Sequence, residues 1–229
     1  MLPLKDNVPT RSFPLVTALL IAANLAVWIF YQLPDLQEST VELAYQPCEV
    51  NSSCPPGTSE GEGWEVTSFT AMFMHGSWLH ILGNMLFLWI FGNNVEDSMG
   101  KVRFLIFYLL SGYAATALQT FVTLTAGTPA DGAVPNLGAS GAVSGVLGAY
   151  LVLLPNAMVL TLIFFFILPV PAFLFLGFWF LFQVWEGGFS LVQPQAGGGV
   201  AFFAHIGGFV FGLLTVRIFM KRPPLRPTY

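Results

Sequence analysis

Charge is what this chain has least of. Only 9% of its 229 residues are Asp, Glu, Lys or Arg, while 55% are hydrophobic; a soluble domain carries about 25% charged residues. So few ionic side chains cannot cover a globule in water, and a mean hydropathy of +0.71 fits a chain held mostly in lipid. There is no basic run, and the net charge is −4, which excludes nucleic acid as a partner class. Histidine is confined to His75, His80 and His205, and cysteine to Cys48 and Cys54. The loop holding both cysteines has no further Cys or His, so it lacks the four ligands of a structural zinc site.

What is abundant is apolar sequence. Apolar stretches fall at 12–33, 71–93, 102–126, 139–154, 157–185 and 200–220, each bounded by charge, Pro or Gly. A span needs about 20 apolar residues, so the spacing predicts an all-α, polytopic membrane protein of six helices. The first stretch is too long for a signal-peptide core and lacks a small-residue cleavage site, so it reads as a span. The fourth is short, and 127–136 before it is a loop by composition. That helix is expected to begin below the membrane surface, with the loop dipping to meet it, as is tolerated only beside protein or a water-filled cavity. The fifth stretch is too long for one untilted helix, at about 1.5 Å per residue. Pro169 and Pro171 are expected to break it, leaving a fifth span from about Pro171 to Trp185.

Orientation follows from the basic residues. Lys5 and Arg11 precede span one, Lys101 and Arg103 separate spans two and three, and Arg217, Lys221, Arg222 and Arg226 close the chain. Six spans put all of these on one face, the cytoplasmic one. The other face carries only acidic charge, including Asp35, Glu38, Glu42, Glu60 and Asp131. The reading is therefore a cytoplasmic N-terminal segment at 1–11, a six-span domain at 12–220 with an outer loop at 34–70, and a cytoplasmic tail at 221–229, in the cell membrane. In that outer loop Cys48 and Cys54 favour a disulfide, with two free thiols as the alternative, since sequence does not fix pairing.

No Asp, Glu, Lys or Arg lies deep in any span, so the polar residues near the outer ends stand out. Spans two, four and six all start on the outer side, which sets His80, Ser140 and His205 at one depth. A serine at a helix start beside a histidine is the minimal apparatus for nucleophilic attack on a carbonyl, and a helix N-terminus offers free N–H groups to an oxyanion. Each part has a plainer reading: a serine N-cap, a histidine that glues helices, a G-x-S-G by chance. Their coincidence at one depth favours chemistry. Gly141, Gly145 and Gly148 on span four, with Gly208 and Gly212 on span six, form faces that let helix backbones approach closely and would bring Ser140 to His205. His80 and Asn84, spaced i, i+4, share a face of span two and can both donate hydrogen bonds. Span five, with Phe178 and Trp179 read as facing span two and a glycine-rich connector at 187–199, is the expected lateral gate.

At these residues the chain resembles the rhomboid intramembrane proteases. The pieces that carry the resemblance are His75-Gly-Ser-Trp-Leu-His80-Ile-Leu-Gly-Asn84, Gly138-Ala-Ser140-Gly-Ala-Val-Ser-Gly145 and Ala204-His205-Ile-Gly-Gly208-Phe-Val-Phe-Gly212, in the family's order. The resemblance implies a six-span bundle, a dyad of Ser140 as nucleophile and His205 as general base, and an oxyanion site from the Ser140 N–H, His80 and Asn84. It implies serine endopeptidase activity on peptide bonds in or beside the transmembrane helices of protein substrates, with no metal or cofactor. Two departures stand out. Ser144 occupies the place of a Tyr that stacks on the histidine in some members, and Trp64 is followed by Glu65 where some carry a Trp-Arg pair. The competing readings are a non-catalytic relative that binds or retains transmembrane helices, and a transporter. The latter would favour internal repeats, and none is visible between the two halves. Oligomeric state is not legible.

Overall fold

The structure is a computed structural model that describes residues 1–55, 58, 62–192 and 201–228; Glu60 and 193–199 of the connector lie outside the described residues. The chain opens with strand β1 (Leu2–Asp6), then α1 (Leu15–Val27), which runs on through a π-helical turn at Trp28–Gln32. The outer segment contains α2 (Leu36–Leu43), a 3-10 turn at Pro47–Asn51 and α3 (Trp64–Thr70). Then come α4 (Trp78–Met99), α5 (Lys101–Ala126), the single turn α6 (Pro129–Gly132) and α7 (Ser140–Leu153). Strands β2 (Met158–Ile163) and β3 (Phe166–Pro171) precede α8 (Ala172–Val192) and α9 (Phe202–Phe219).

Among the described residues four helical stretches are long and apolar enough to cross a membrane, namely Leu15–Gln32, Lys101–Ala126, Ala172–Leu191 and Phe202–Phe219, and α7 is a shorter apolar helix. The chain is thus a mostly helical, multi-pass membrane protein. The 22-residue α4 is more polar, because Asn84, Asn93, Asn94, Glu96 and Asp97 lie along it.

The all-α expectation needs a correction. The apolar stretch before span five is a β-hairpin, and β1 joins it in an antiparallel sheet of order β1-β2-β3. Leu2 pairs with Leu162, and Met158 with Pro171. Continuous apolarity does not separate a short strand from a helix. The β-branched Val159, Thr161 and Ile163 favour the strand, and Pro169 and Pro171 are tolerated because β3 lies at the sheet edge. The break at these prolines, as expected, marks where α8 begins. A second correction concerns the connector, since Gly187–Val192 is the last part of α8 rather than loop. In the loop before α7, Thr128 caps one helical turn, its hydroxyl accepting from the Asp131 N–H while Asp131 accepts from the Thr128 N–H at 2.7 Å.

Buried acids tie the basic end together. Glu96 accepts from the N–H groups of Val16 (3.0 Å) and Thr17 (2.8 Å) and from the Thr17 hydroxyl, so a side chain of α4 satisfies the orphan donors at the start of α1. Asp97 binds Arg11 at 2.6 Å and Arg222 at 2.9 Å, joining both terminal segments to α4. Asp6 accepts from the Tyr150 hydroxyl (2.5 Å) and from Asn94 (2.9 Å).

Helix α7 runs through the centre, every residue from Gly141 to Tyr150 buried, in contact with α4, α5, α8 and α9. Its backbone touches that of α9. A Cβ placed on Gly208 would strike the Gly141 carbonyl, one on Gly212 the Gly145 carbonyl, and one on Gly148 the Phe209 carbonyl. Lipid is as apolar as these helices, so close van der Waals packing through small residues drives their association. Above α7, Cys48 and Cys54 are joined as a disulfide, Tyr45 and Asn136 exchange backbone hydrogen bonds of 3.1 and 2.7 Å, and the Gly138 N–H donates to the Ala71 carbonyl at 2.8 Å. These contacts hold the loop that delivers the chain into Ser140.

Candidate active site

Ser140 is the first residue of α7. The preceding Ala139 supplies no side-chain cap, so the first-turn N–H groups, which have no partner inside a helix, are left to whatever lies before the helix. His205 sits in the first turn of α9, where the Ala204 N–H beside it donates to Gln119 of α5 at 3.2 Å. The backbone contact of α7 with α9 brings the two side chains together. His205 Nε2 lies 2.8 Å from Ser140 Oγ.

The other ring nitrogen is held as well. His205 Nδ1 lies 2.8 Å from Oε1 of Gln183, on α8, and the Gln183 NH2 group turns to the Trp179 carbonyl at 3.5 Å. An amide oxygen only accepts, so the proton resides on Nδ1 and Nε2 is free to accept from the Ser140 hydroxyl. The Trp179 ring lies beside the imidazole, centroids 6.0 Å apart and tilted by 38°.

Across from this pair stands α4. Ser77 caps it by accepting from the His80 N–H at 3.2 Å. His80 Nδ1 accepts from the Gly76 N–H at 3.4 Å, which leaves its hydrogen on Nε2. That nitrogen faces Gly138, where a Cβ would sit 2.8 Å away. Gly138 also has φ +129, a conformation that side chains avoid, so glycine is required there on two counts. One turn along α4, the Asn84 NH2 group is buried with no partner among the described residues, and such a donor calls for an explanation. His80, Asn84, Ser140 and His205 all line one cleft of about 250 Å³, with Phe87 and Trp179 among its apolar walls.

The structure therefore brings four sequence-predicted residues to one cavity. Other candidates are committed elsewhere. The Ser144 hydroxyl donates to the Ser140 carbonyl at 2.6 Å and that of Ser111 to the Phe107 carbonyl at 2.8 Å. His75 is buried outside the cleft, its ring edge-on to His80 at 5.1 Å and its backbone bracketed by the Gln32 amide. The residue of α8 that meets α4 is Phe175, packed on Phe87 and Phe91 at 6.2 and 6.1 Å. Phe178 is exposed instead, and Trp179 turns toward His205 and Phe209. Gln183 escaped the sequence reading. Its signal was present, as the one amide in the run Phe178-Trp-Phe-Leu-Phe-Gln183-Val-Trp185, because a polar side chain in a span is a functional candidate by default.

Residues 60–222 match the Rhomboid domain family, and the chain belongs to that family. It is 32% identical over 155 residues to Rhomboid protein 1, mitochondrial, of Saccharomyces cerevisiae, covering 66% of this chain and 40% of the yeast protein. Over 145 residues it is 32% identical to YdcA of Bacillus subtilis, covering 62% of this chain and 63% of YdcA. Over 217 residues it is 27% identical to the presenilin-associated rhomboid-like protein, mitochondrial, of Bos taurus, covering 90% of this chain and 50% of the bovine protein. The chain thus spans about half the length of the relatives it matches.

Proposed function

We propose that this chain is an intramembrane serine endopeptidase that uses Ser140 and His205 as a dyad on transmembrane protein substrates. The observation that carries the reading is the 2.8 Å contact of His205 Nε2 with Ser140 Oγ at the wall of a cleft that also receives the Asn84 amide donor, unpaired among the described residues. In the first half-reaction His205 takes the Ser140 proton as Oγ attacks the scissile carbonyl. The oxyanion that forms is met by the Ser140 N–H, His80 Nε2–H and the Asn84 NH2 group, donors already oriented before reaction. The imidazolium gives its proton to the leaving amine, and an acyl ester on Ser140 remains. In the second half-reaction His205 deprotonates a water that attacks the ester, then returns the proton to Ser140. No step needs a metal or cofactor.

The reading includes six spans, with α4 and α7 joining the four long apolar helices. Both termini lie in the cytoplasm of the cell, where the basic residues gather, and the cleft opens toward the outer face. A substrate helix enters from the lipid past α8. The test is cleavage of a single-span substrate by protein purified into liposomes. Wild type should cleave and should label with a fluorophosphonate, whereas Ser140→Ala and His205→Ala should do neither while remaining folded. Wild-type rates in Ser140→Ala would overturn the assignment.

A further inference from the structure

We propose that Gln183 is a positioning residue that sets the tautomer and orientation of His205, so that the base is competent only while α8 is seated against α9. This rests on the protease reading above. Gln183 is 5% exposed, and a buried amide is costly unless hydrogen-bonded. Its oxygen bonds His205 Nδ1 at 2.8 Å, and its NH2 group turns to the Trp179 carbonyl. Both contacts orient the amide so that it can only accept from the imidazole. The opposite tautomer would present Nε2–H to Ser140 Oγ and could not take its proton. Trp179, at 6.0 Å between centroids, limits the ring's tilt but cannot choose between its nitrogens. The Ser144 hydroxyl, one turn after the nucleophile, is bonded to its own helix and does not reach the imidazole as a partner. The groups facing His205 from the elements around it are Ser140 on α7, His80 across the cleft on α4, and Gln183 with Trp179 on α8. On the α5 side, Gln119 holds the neighbouring Ala204 N–H.

The placement on α8 has a consequence for gating. Helix α8 rests on α9 through Phe180 stacked on Phe209 at 4.5 Å, and on α4 through Phe175. A displacement of α8 by about 1 Å would stretch a 2.8 Å hydrogen bond past useful length. A displacement of that size would leave His205 Nδ1 without its acceptor, and reseating α8 against α9 would restore it.

The test compares wild type, Gln183→Leu, which keeps the bulk but removes the acceptor, and Gln183→Glu, which keeps an acceptor, with Ser140→Ala as the blank. Fluorophosphonate labelling, kcat and KM for a transmembrane substrate, and the 15N spectrum of histidine-labelled protein are read on each. In Gln183→Leu, kcat and the labelling rate should fall by the same factor, on the order of 10²-fold, the lower end of what general-base catalysis supplies. KM should hold, and the His205 signal should change from one Nδ1-protonated tautomer to a mixture. Gln183→Glu should recover most of the rate and the single tautomer. A merely structural role would lower the melting temperature without changing the tautomer. Should Gln183→Leu fail to fold, Gln183→Met carries the same comparison. Wild-type labelling, kcat and tautomer in the folded Leu or Met variant would overturn the proposal. If wild type is folded yet neither cleaves nor labels, the protease reading fails, and the 15N spectra still decide whether Gln183 sets the tautomer.

Discussion

Replacing Gly208 by alanine tests how α7 and α9 make the site. The added Cβ would strike the Gly141 carbonyl oxygen and would lie 3.1 Å from its carbonyl carbon and 3.3 Å from the Gly145 nitrogen. These are backbone atoms of a buried helix, so neither can swing aside. An ordinary carbon–oxygen approach is about 3.3 Å or more, so the helices must part by about 1 Å. Overpacking of this kind costs about 1–3 kcal/mol, offset by up to about 1 kcal/mol because alanine favours helix over glycine. His205 lies one turn earlier on α9, 2.8 Å from Ser140, and the same parting takes it out of hydrogen-bond range. A misplacement of about 1 Å can cost on the order of 10²-fold in rate. Gly188→Ala is the control, since a Cβ there meets nothing within 4 Å. Thermal unfolding in detergent should show a lowered midpoint for Gly208→Ala and none for Gly188→Ala, and fluorophosphonate labelling should fall only in the former. A Gly208→Ala protein with wild-type midpoint and labelling rate would refute the claim that backbone contact sets the dyad distance.

Other expectations follow from the same geometry. Ser140→Ala and His205→Ala should be strongly non-additive, since nucleophile and base act as a unit, and Ser144→Ala should retain activity in the same cleavage assay. His80→Ala and Asn84→Ala should lower kcat more than they raise KM, each by up to roughly 10²–10³-fold; a pure KM effect would count against an oxyanion role. Burial holds the Asp6 carboxyl above the usual carboxylate range, with hydrogen bonds from Tyr150 and Asn94 opposing this in part. The folded state therefore binds its proton more tightly than the unfolded one, and this contribution is present at low pH and lost as pH rises through the folded value. Asp6→Asn should remove that decline, which sets in as pH rises above the ordinary carboxylate value of about 4, and an unchanged pH slope in unfolding scans would refute it. A membrane-impermeant thiol reagent added outside cells should reach a cysteine at position 131 and not one at 101; labelling at 101 would reverse the topology.

Much of the helical framework was legible because lipid imposes length and apolarity on a span, and both are one-dimensional properties. The starts of α5, α8 and α9 follow from Lys101, Pro171 and the glycine-rich connector. The meeting of Ser140 with His205 was legible too, since small residues four apart on two helices announce a backbone contact. What sequence could not separate was the hairpin at 158–171 from a buried helix. Both are continuous apolar runs, and the strand is settled by pairing with Leu2–Asp6, over 150 residues away in the chain. The tautomer-setting contact of Gln183 and the packing of Phe175 on α4 were likewise decided only in three dimensions. Which face of α8 turns inward depends on how it leans on α4 and α9, and a run of Phe, Leu and Trp carries no periodicity from which to read that rotation. Composition and spacing pointed to the long apolar helices and to the polar residues near their ends; the tertiary structure alone decided which side chains on those helices touch, because contact is set by axial rotation and by partners distant in sequence.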